Sequence, residues 1–519
     1  MRGIYTSVND IRKRVFAEVA KLSYEYEPGT LHDKMEKIPY QIIPGEESMY
    51  RDSVFLERAI IRERMRLAMG LQMRPANDMA PVSEGAEEVT KPETYYTPPL
   101  INIIKFACHK CPDNVVRVTD GCQGCLAHPC QEVCPKGAIS FDQYGKSIID
   151  QDKCIKCGKC IQACQYNAII KQTRPCSSAC GMGAIGSDEF GRADIDQDKC
   201  VNCGMCLANC PFGAIADKAQ IFQVIQAIKS DQPVYAAIAP AITGQFGPQM
   251  TPDKIRSAFK ALGFADVVEV AIGADLCTID EAHDFLEEVP NKQPFMATSC
   301  CPAWSSMAKK LFPEQAKCIS MALTPMVLTG RLLKEKYPNC KVAFIGPCAA
   351  KKLEAMRTTI RSDVDFVLTF EEVMGMFVAK NVNFAELPVD HSMHGASADG
   401  RGFAVGGGVA NAVVNCIKKD HPDMEVKVAS AMGLDECKKL LAGAKAGKYD
   451  GYLLEGMACP GGCVAGAGTI QPIAKSTGAI KVQMSQSTNA HAYNSNYADY
   501  IPTLKSKYDE IKKAPVDEG

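Results

Sequence analysis

The chemistry open to this chain is set by its thiols. Sixteen of its 26 cysteines fall between Cys108 and Cys210, and they repeat on a 46-residue period. The run Cys130-Gln-Glu-Val-Cys134-Pro-Lys-Gly-Ala-Ile leads into Cys154-x2-Cys157-x2-Cys160-x3-Cys164. Its second copy, Cys176-Ser-Ser-Ala-Cys180-Gly-Met-Gly-Ala-Ile, leads into Cys200-x2-Cys203-x2-Cys206-x3-Cys210. Thiolates at this spacing wrap one iron–sulfur cubane, and the trailing cysteine crosses to the other cluster of a pair. By that rule Cys122, Cys125, Cys130 and Cys164 hold one [4Fe–4S] cubane, and Cys154, Cys157, Cys160 and Cys134 hold its partner. Cys200, Cys203, Cys206 and Cys180 hold a third. The second copy lacks a leading Cys-x2-Cys pair, and Cys108-x2-Cys111 is the unused one. A fourth accessory cluster on Cys108, Cys111, Cys176 and Cys210 is therefore expected, with ordinary buried thiols or a zinc site as the other readings of those four.

Further cysteines stand in three places downstream. They are Thr298-Ser-Cys300-Cys301-Pro302-Ala-Trp304, Gly346-Pro347-Cys348-Ala-Ala-Lys351-Lys352-Leu-Glu354, and Glu455-Gly-Met457-Ala-Cys459-Pro-Gly461-Gly-Cys463-Val-Ala-Gly466. Each lies just beyond a predicted strand, and loops that follow parallel strands converge at one edge of a sheet, where ligands bind. One thiolate from each of the first two loops and two from the third make four, the number a further cubane needs.

The elements that must position these loops are read from periodicity. Val234–Ile238, Val267–Ala271, Phe295–Thr298, Val342–Ile345, Val364–Leu368 and Tyr452–Leu454 are predicted strands, each followed by helical sequence such as Asp253–Leu262 or Ile279–Glu288. This alternation predicts an α/β architecture with largely parallel strands, whose order the sequence does not fix. Residues 1–95 read as a charged, mainly helical segment ending in a linker over Ala76–Leu100, which is rich in Pro, Glu and Thr. Within it, Ser53–Met73 places Phe55, Leu56, Ile60, Ile61, Met65 and Met69 on the apolar face of a helix. Residues 96–217 form a ferredoxin-like α+β iron–sulfur module, and residues 218–519 the α/β domain.

At 519 residues with 46% hydrophobic content, the chain can build more than one core. A net charge of −2 gives no basic footprint for nucleic acid. Apolar runs are of strand length, far short of a membrane span, and Met1–Phe16 lacks the apolar centre of a secretory signal. Thiolate ligands in a reducing cytoplasm are expected rather than disulfides.

The three downstream motifs, in their order, resemble those of the iron-only ([FeFe]) hydrogenases, and the resemblance runs from about Cys122 to Gly468. It implies an H-cluster, a [4Fe–4S] cubane joined through one cysteine to a two-iron unit bearing CO and cyanide. Carried over, Cys301, Cys348, Cys459 and Cys463 hold the cubane, and Cys463 bridges to the two-iron unit. Heterolysis of hydrogen needs an open metal position and a base; the resemblance makes that base the cofactor's own amine. Cys300 stands where the family has its first proton carrier, and the rest of the relay maps onto Glu281, Ser320 and Asp284. Glu281 and Asp284 are three apart, on one helical face, although a solvated acidic face is the other reading of that stretch. The family's Arg at the outer end is Glu288 here.

The resemblance also implies that Lys351 holds one cyanide, that the backbone at Pro240 and Ala241 faces the other, and that Met457 lines the two-iron unit. Lys352 reads as an exposed neighbour. Gly346 and Met326 replace a methionine and a glutamine of the best-known members, a departure that resembles the group B hydrogenases. Cys277, Cys318, Cys340, Cys416 and Cys437 are expected to be buried apolar residues. The implied partners are hydrogen and protons as substrates, a soluble ferredoxin or another redox protein, and enzymes that mature the H-cluster. Two other readings stand beside the enzyme. A hydrogen sensor would append a signalling segment and lose the cysteine at 300, whereas here a short tail follows Ala474. A non-catalytic iron–sulfur assembly relative would keep the cubane thiols without Cys300, Lys351 and Met457.

Overall fold

A computed structural model describes residues 3–505, except 76, 78, 92–96, 358, 359 and 394. The apolar runs beyond position 230 form two parallel sheets. In the first, Val234–Ile238 is flanked by Asp266–Glu269 and Lys341–Gly346, and Phe366–Thr369 adds beyond the latter. In the second, Tyr452–Met457 lies between Met296–Ala297 and Lys427–Met432. Val234–Ile238, Lys341–Gly346 and Phe366–Thr369 are buried almost throughout, as strands covered on both faces must be. Lys427–Met432 was not foreseen: it is a largely solvated edge strand, and its Lys-Val-Ala-Ser-Ala-Met run has no bulky apolar block to mark it.

One predicted boundary shifts further than the others. The strand expected over Val267–Ala271 ends at Glu269, and a 19-residue helix begins at Val270 rather than at Ile279. Packing overrides the β-branched propensity of Val270 and Ile272. Gly273 lets the neighbouring helix Pro325–Lys336 come close, since a Cβ there would stand 2.3 Å from the Pro325 carbonyl oxygen.

The cysteine-rich region is built of two similar units, one nested inside the other. Val115–Val118 precedes Cys122-x2-Cys125 and pairs antiparallel with Ile169–Gln172, which follows Cys164. Likewise Ile101–Ile103 precedes Cys108-x2-Cys111 and pairs antiparallel with Ile215–Asp217, which follows Cys210. Each unit also holds a hairpin, Ile139–Phe141 with Ser147–Ile149 and Ile185–Ser187 with Ala193–Ile195.

Near the N-terminus, helices Ser7–Tyr24, Leu31–Ile42 and Val54–Ala68 pack on this body. A Cβ on Gly375 would lie 2.5 Å from Phe16 Cβ, and the Ser23 hydroxyl donates to the Phe222 carbonyl at 3.0 Å. Ile60, Ile61, Met65 and Met69 are buried as expected, but Phe55 points to solvent, 78% exposed. Of the expected linker, residues 76, 78 and 92–96 lie outside the described residues; in the remainder Val82, Ala86 and Val89 are buried. No helix among the described residues is long and apolar enough to cross a membrane.

Lys352 corrects an expectation. It is fully buried, not exposed: its ammonium pairs with Asp217 at 2.7 Å and Glu372 at 2.5 Å and donates to the Lys218 carbonyl at 2.6 Å. The run Lys351-Lys352 sits on a helix whose two adjacent side chains point into different buried sites, so adjacency gave no clue. This cation ties the end of the cysteine-rich region to the α/β core. Removing one partner of a buried charge network leaves the others uncompensated. Lys352→Met is expected to lower the unfolding free energy by about 3 kcal/mol or more, measured by urea titration; a loss below about 1 kcal/mol would contradict this account.

Candidate functional site

Each of the three motif loops leaves the end of a parallel strand. Met296–Ala297 delivers Cys300 and Cys301, Lys341–Gly346 delivers Cys348, and Tyr452–Met457 delivers Cys459 and Cys463. Cys301 is the N-cap of helix Pro302–Leu311, where the helix dipole favours a thiolate. The loops close on one another because key positions lack side chains. A Cβ on Gly456 would stand 2.3 Å from the Trp304 ring, and one on Gly466 would stand 2.4 Å from the Pro347 carbonyl oxygen.

Cys301, Cys348, Cys459 and Cys463 line one cavity of about 80 Å³, together with Cys300, Lys351, Met457, Pro240 and Ala241. Met326 and Phe344 line it too, as do Phe403 and Ala404, which no motif marked. The remaining surface is apolar. Burial pushes the Cys348 thiol up to about 11 with Cys301 beside it, and the Cys463 thiol up to about 12 with Cys348 and Cys301 beside it. Each of the four thus counts others of the set as neighbours. A larger cavity, about 260 Å³, lies between the N-terminal helix and Cys210 and contains none of these four thiols.

The donor set fits the group the motifs imply. Four thiols from three loops ring a space instead of converging on a point, and among the described residues no three His, Cys, Asp or Glu side chains gather as ligands of a single ion would. The space beside Cys463 is open, not filled by side chains. Lys351 brings a buried cation to the cavity wall. Burial alone would depress its pKa, but the Glu354 carboxylate, 2.6 Å away, outweighs this and holds it raised. Glu354 is fixed in turn by the Thr324 hydroxyl, which donates at 2.9 Å.

Several polar groups stand near Cys300 and on the helix Val270–Glu288. The Glu281 carboxylate is completely buried; its Oε1 accepts from the Ser299 backbone N–H at 2.8 Å and the Ser299 hydroxyl at 3.0 Å, while Oε2 has no partner. Burial pushes this carboxyl up to about 7. Burial likewise raises the Cys300 thiol well above its ordinary value, with Glu281 as the nearest charged influence. The Ser320 hydroxyl donates to Asp284 Oδ2 at 3.4 Å, a long bond, and burial raises Asp284 as well. Sequence reasoning missed Ser299, which sits inside the Thr-Ser-Cys-Cys motif, and Cys277, one helical turn before Glu281 and beside Ser299.

Many of the accessory thiols stand beside one another. Cys134, Cys154, Cys157 and Cys160 line a small pocket of their own. Cys122 and Cys130 share the Ser147 hydroxyl, at 3.9 and 3.3 Å. Cys206 has Cys203, Cys200 and Cys180 as neighbours. Cys108, Cys111, Cys176 and Cys210 also neighbour one another: Cys111 is raised by burial and then by Cys108 and Cys210, and Cys176 is pushed up to about 11 by burial and then by Cys210. Cys203 in turn has Cys348 beside it, so the third set abuts the motif cavity. Of the spare cysteines, Cys277, Cys318, Cys340 and Cys437 are buried and Cys416 is half-buried.

Residues 232–467 match the family described as iron only hydrogenase large subunit, C-terminal domain, and residues 147–170 and 192–215 match 4Fe-4S binding domains. Iron hydrogenase 1 of Clostridium pasteurianum is 29% identical over 387 residues, covering 64% of this chain and 67% of that one. The periplasmic [Fe] hydrogenase large subunit of Nitratidesulfovibrio vulgaris is 31% identical over 284 residues, covering 46% and 67%. Cytosolic iron-sulfur assembly component 3 of Pongo abelii is 27% identical over 284 residues, covering 44% and 59%. A solved [FeFe]-hydrogenase from Chlamydomonas reinhardtii is similar with a TM-score of 0.44 and 21% identity, covering 55% of this chain and 93% of that one. With its motif thiols gathered as described and two thirds of a 31% identical hydrogenase subunit covered, the chain belongs to the iron-only hydrogenase family.

Proposed function

We propose that the protein is a hydrogenase that interconverts hydrogen with protons and electrons, and that its cysteine-held clusters exchange those electrons with a soluble redox protein such as a ferredoxin. The observation that carries this reading is the cavity shared by Cys301, Cys348, Cys459 and Cys463 with Cys300, Lys351 and Met457. In this reading Cys301, Cys348, Cys459 and Cys463 would hold the H-cluster, with Cys463 also serving its two-iron unit. When bound, the H-cluster would supply an open metal position and an internal base for heterolytic cleavage of hydrogen.

The chain's own residues do the rest. The apolar wall of the cavity excludes water, which strengthens every charge interaction inside it. Lys351, kept charged by Glu354, would hold one anionic cyanide of the bound group, and the backbone at Pro240 and Ala241 would hold the other. Protons pass between the cavity and solvent by Cys300, Glu281, Ser320 and Asp284, with Ser299 orienting Glu281. A carboxyl poised at about 7 can both take and release a proton near neutrality. Electrons use the accessory sets, of which the one built on Cys203 lies against the cavity. The division into 1–95, 96–217 and 218–519 belongs to the same reading.

The match to an iron–sulfur assembly component favours one competing reading, a non-catalytic relative. Infrared spectra of the matured protein separate the two: stretches of bound CO and cyanide are expected, with hydrogen release from reduced methyl viologen. A fully iron-loaded protein showing neither would leave only the assembly or electron-carrier reading. The fourth set is tested by Cys111→Ser, which is expected to cost about four irons per chain by iron assay; unchanged iron would favour plain buried thiols.

Glu281 gives a pH test. Its ordinary value is 4.5, and burial raises it to about 7 in the folded protein. Between these values the unfolded chain releases the proton while the folded chain retains it, so this group's contribution to stability is lost as pH rises. Glu281→Gln is therefore expected to gain stability relative to the unaltered protein from about pH 5 to about pH 8, read from urea midpoints. The same variant should lose turnover by about a hundredfold or more. A stability difference that stays flat across this range would show that Glu281 does not titrate as described.

A further inference from the structure

The two copies of the cysteine repeat present the same face to different surroundings. In the second copy that face is covered. Met182, Val201 and Met205 are 8%, 2% and 6% exposed and pack into the α/β domain. A Cβ on Gly204 would stand 2.5 Å from Ala467 Cβ and 3.2 Å from Ala349 Cβ, in the loops that carry Cys463 and Cys348. In the first copy, 46 residues earlier, the equivalent positions are Lys136, Ile155 and Lys159, and Gly158 stands where Gly204 does. Here the face is open. Ile155 is 56% exposed, Cys157 is exposed, and nothing lies within 4 Å of a Cβ on Gly158.

The substitutions between the copies follow that difference. Lys136, Lys156 and Lys159 surround the pocket of Cys134, Cys154, Cys157 and Cys160, and no acidic residue lines it. Asn202 stands in the second copy at the position of Lys156. None of the three lysines is ion-paired among the described residues, whereas nearby Lys153 is held by Asp150 at 3.5 Å. Glu132 and Asp152 lie outside this lining, on the adjoining surface. A chain of net charge −2 thus concentrates free cations around an exposed apolar side chain and a solvent-edge thiol. Positive potential at such a spot raises the encounter rate with a negatively charged protein, and an apolar centre supplies contact once it has arrived.

We propose that the face around Cys157, ringed by Lys136, Lys156 and Lys159, is where an acidic electron-carrier protein docks. The face does for a separate protein what its counterpart in the second copy does for the α/β domain: it brings a second redox centre against a cysteine-held one. The inference rests on the electron-exchanging role proposed above.

The triple variant Lys136→Gln, Lys156→Asn, Lys159→Gln tests it in the full-length, iron-loaded protein. Lys156 has a positive φ of 58°, and the equivalent Asn202 has 51°, so asparagine suits that backbone. The probe is a two-cluster [4Fe–4S] ferredoxin of net negative charge. Its affinity is measured by calorimetry without turnover, and its KM by hydrogen release at low salt. The expected result is about tenfold weaker binding and a KM raised by about as much, with a flatter dependence on salt, while the reduced methyl viologen rate does not fall. Unchanged affinity and KM would overturn the proposal. So would a wild-type dimer that the variant breaks, seen by sedimentation, with ferredoxin binding unaltered, since the face would then join two copies of this chain. Weakened ferredoxin binding in a protein that shows no dye-linked hydrogen release would uphold the docking face and discard the hydrogenase reading instead.

Discussion

Bringing four thiols into one dry place is the constraint on which this structure turns. Burial first, and then the neighbouring thiols, push Cys348 and Cys463 up to about 11 and 12, so the protein on its own disfavours their thiolate forms. A bound multi-iron group, as proposed for this pocket, would remove that penalty by taking the thiolate charge directly. The surrounding fold serves the convergence. Two parallel sheets aim three strand ends at one edge, and Gly456 and Gly466 let the loops close to contact distance. The buried cation Lys352 then locks this core to the strand Ile215–Asp217, which ends the cysteine-rich region.

What could be read from the sequence follows from how local each feature is. The regular cysteine runs announce their clusters because most ligands of one cluster lie within ten or so residues. The motif loops were legible for a similar reason, each carrying its chemistry in a few adjacent residues. The fourth set was legible only by subtraction. Its geometric cause, the pairing of Ile101–Ile103 with Ile215–Asp217 around an inserted second unit, spans too much chain to leave a local signal. Lys352 failed for the opposite reason: its neighbour Lys351 belongs to the cavity, and two adjacent lysines look alike until packing separates them. The early start of the helix Val270–Glu288 was hidden by β-branched residues whose strand preference tertiary contacts override. Phe403 and Ala404 reach the cavity from a stretch with no thiol to mark it.

The outer end of the proposed relay shows how a departure from a family pattern can be absorbed. The helix carries Asp280, Asp284 and Glu288 on successive turns, and the residue expected to bring a cation there is Glu288. Three carboxylates so close repel one another; burial and then Asp280 raise Asp284. The compensating charge comes from elsewhere. Lys505, far along the chain, pairs with Asp280 and pulls Asp284 downward, while Gln293 donates to Glu288 at 2.6 Å. The positive charge beside these acids thus comes from a distant segment and not from the helix itself. In the proposed relay, a proton reaching Asp284 would meet an acidic surface balanced by a lysine, an arrangement that eases its exchange with water.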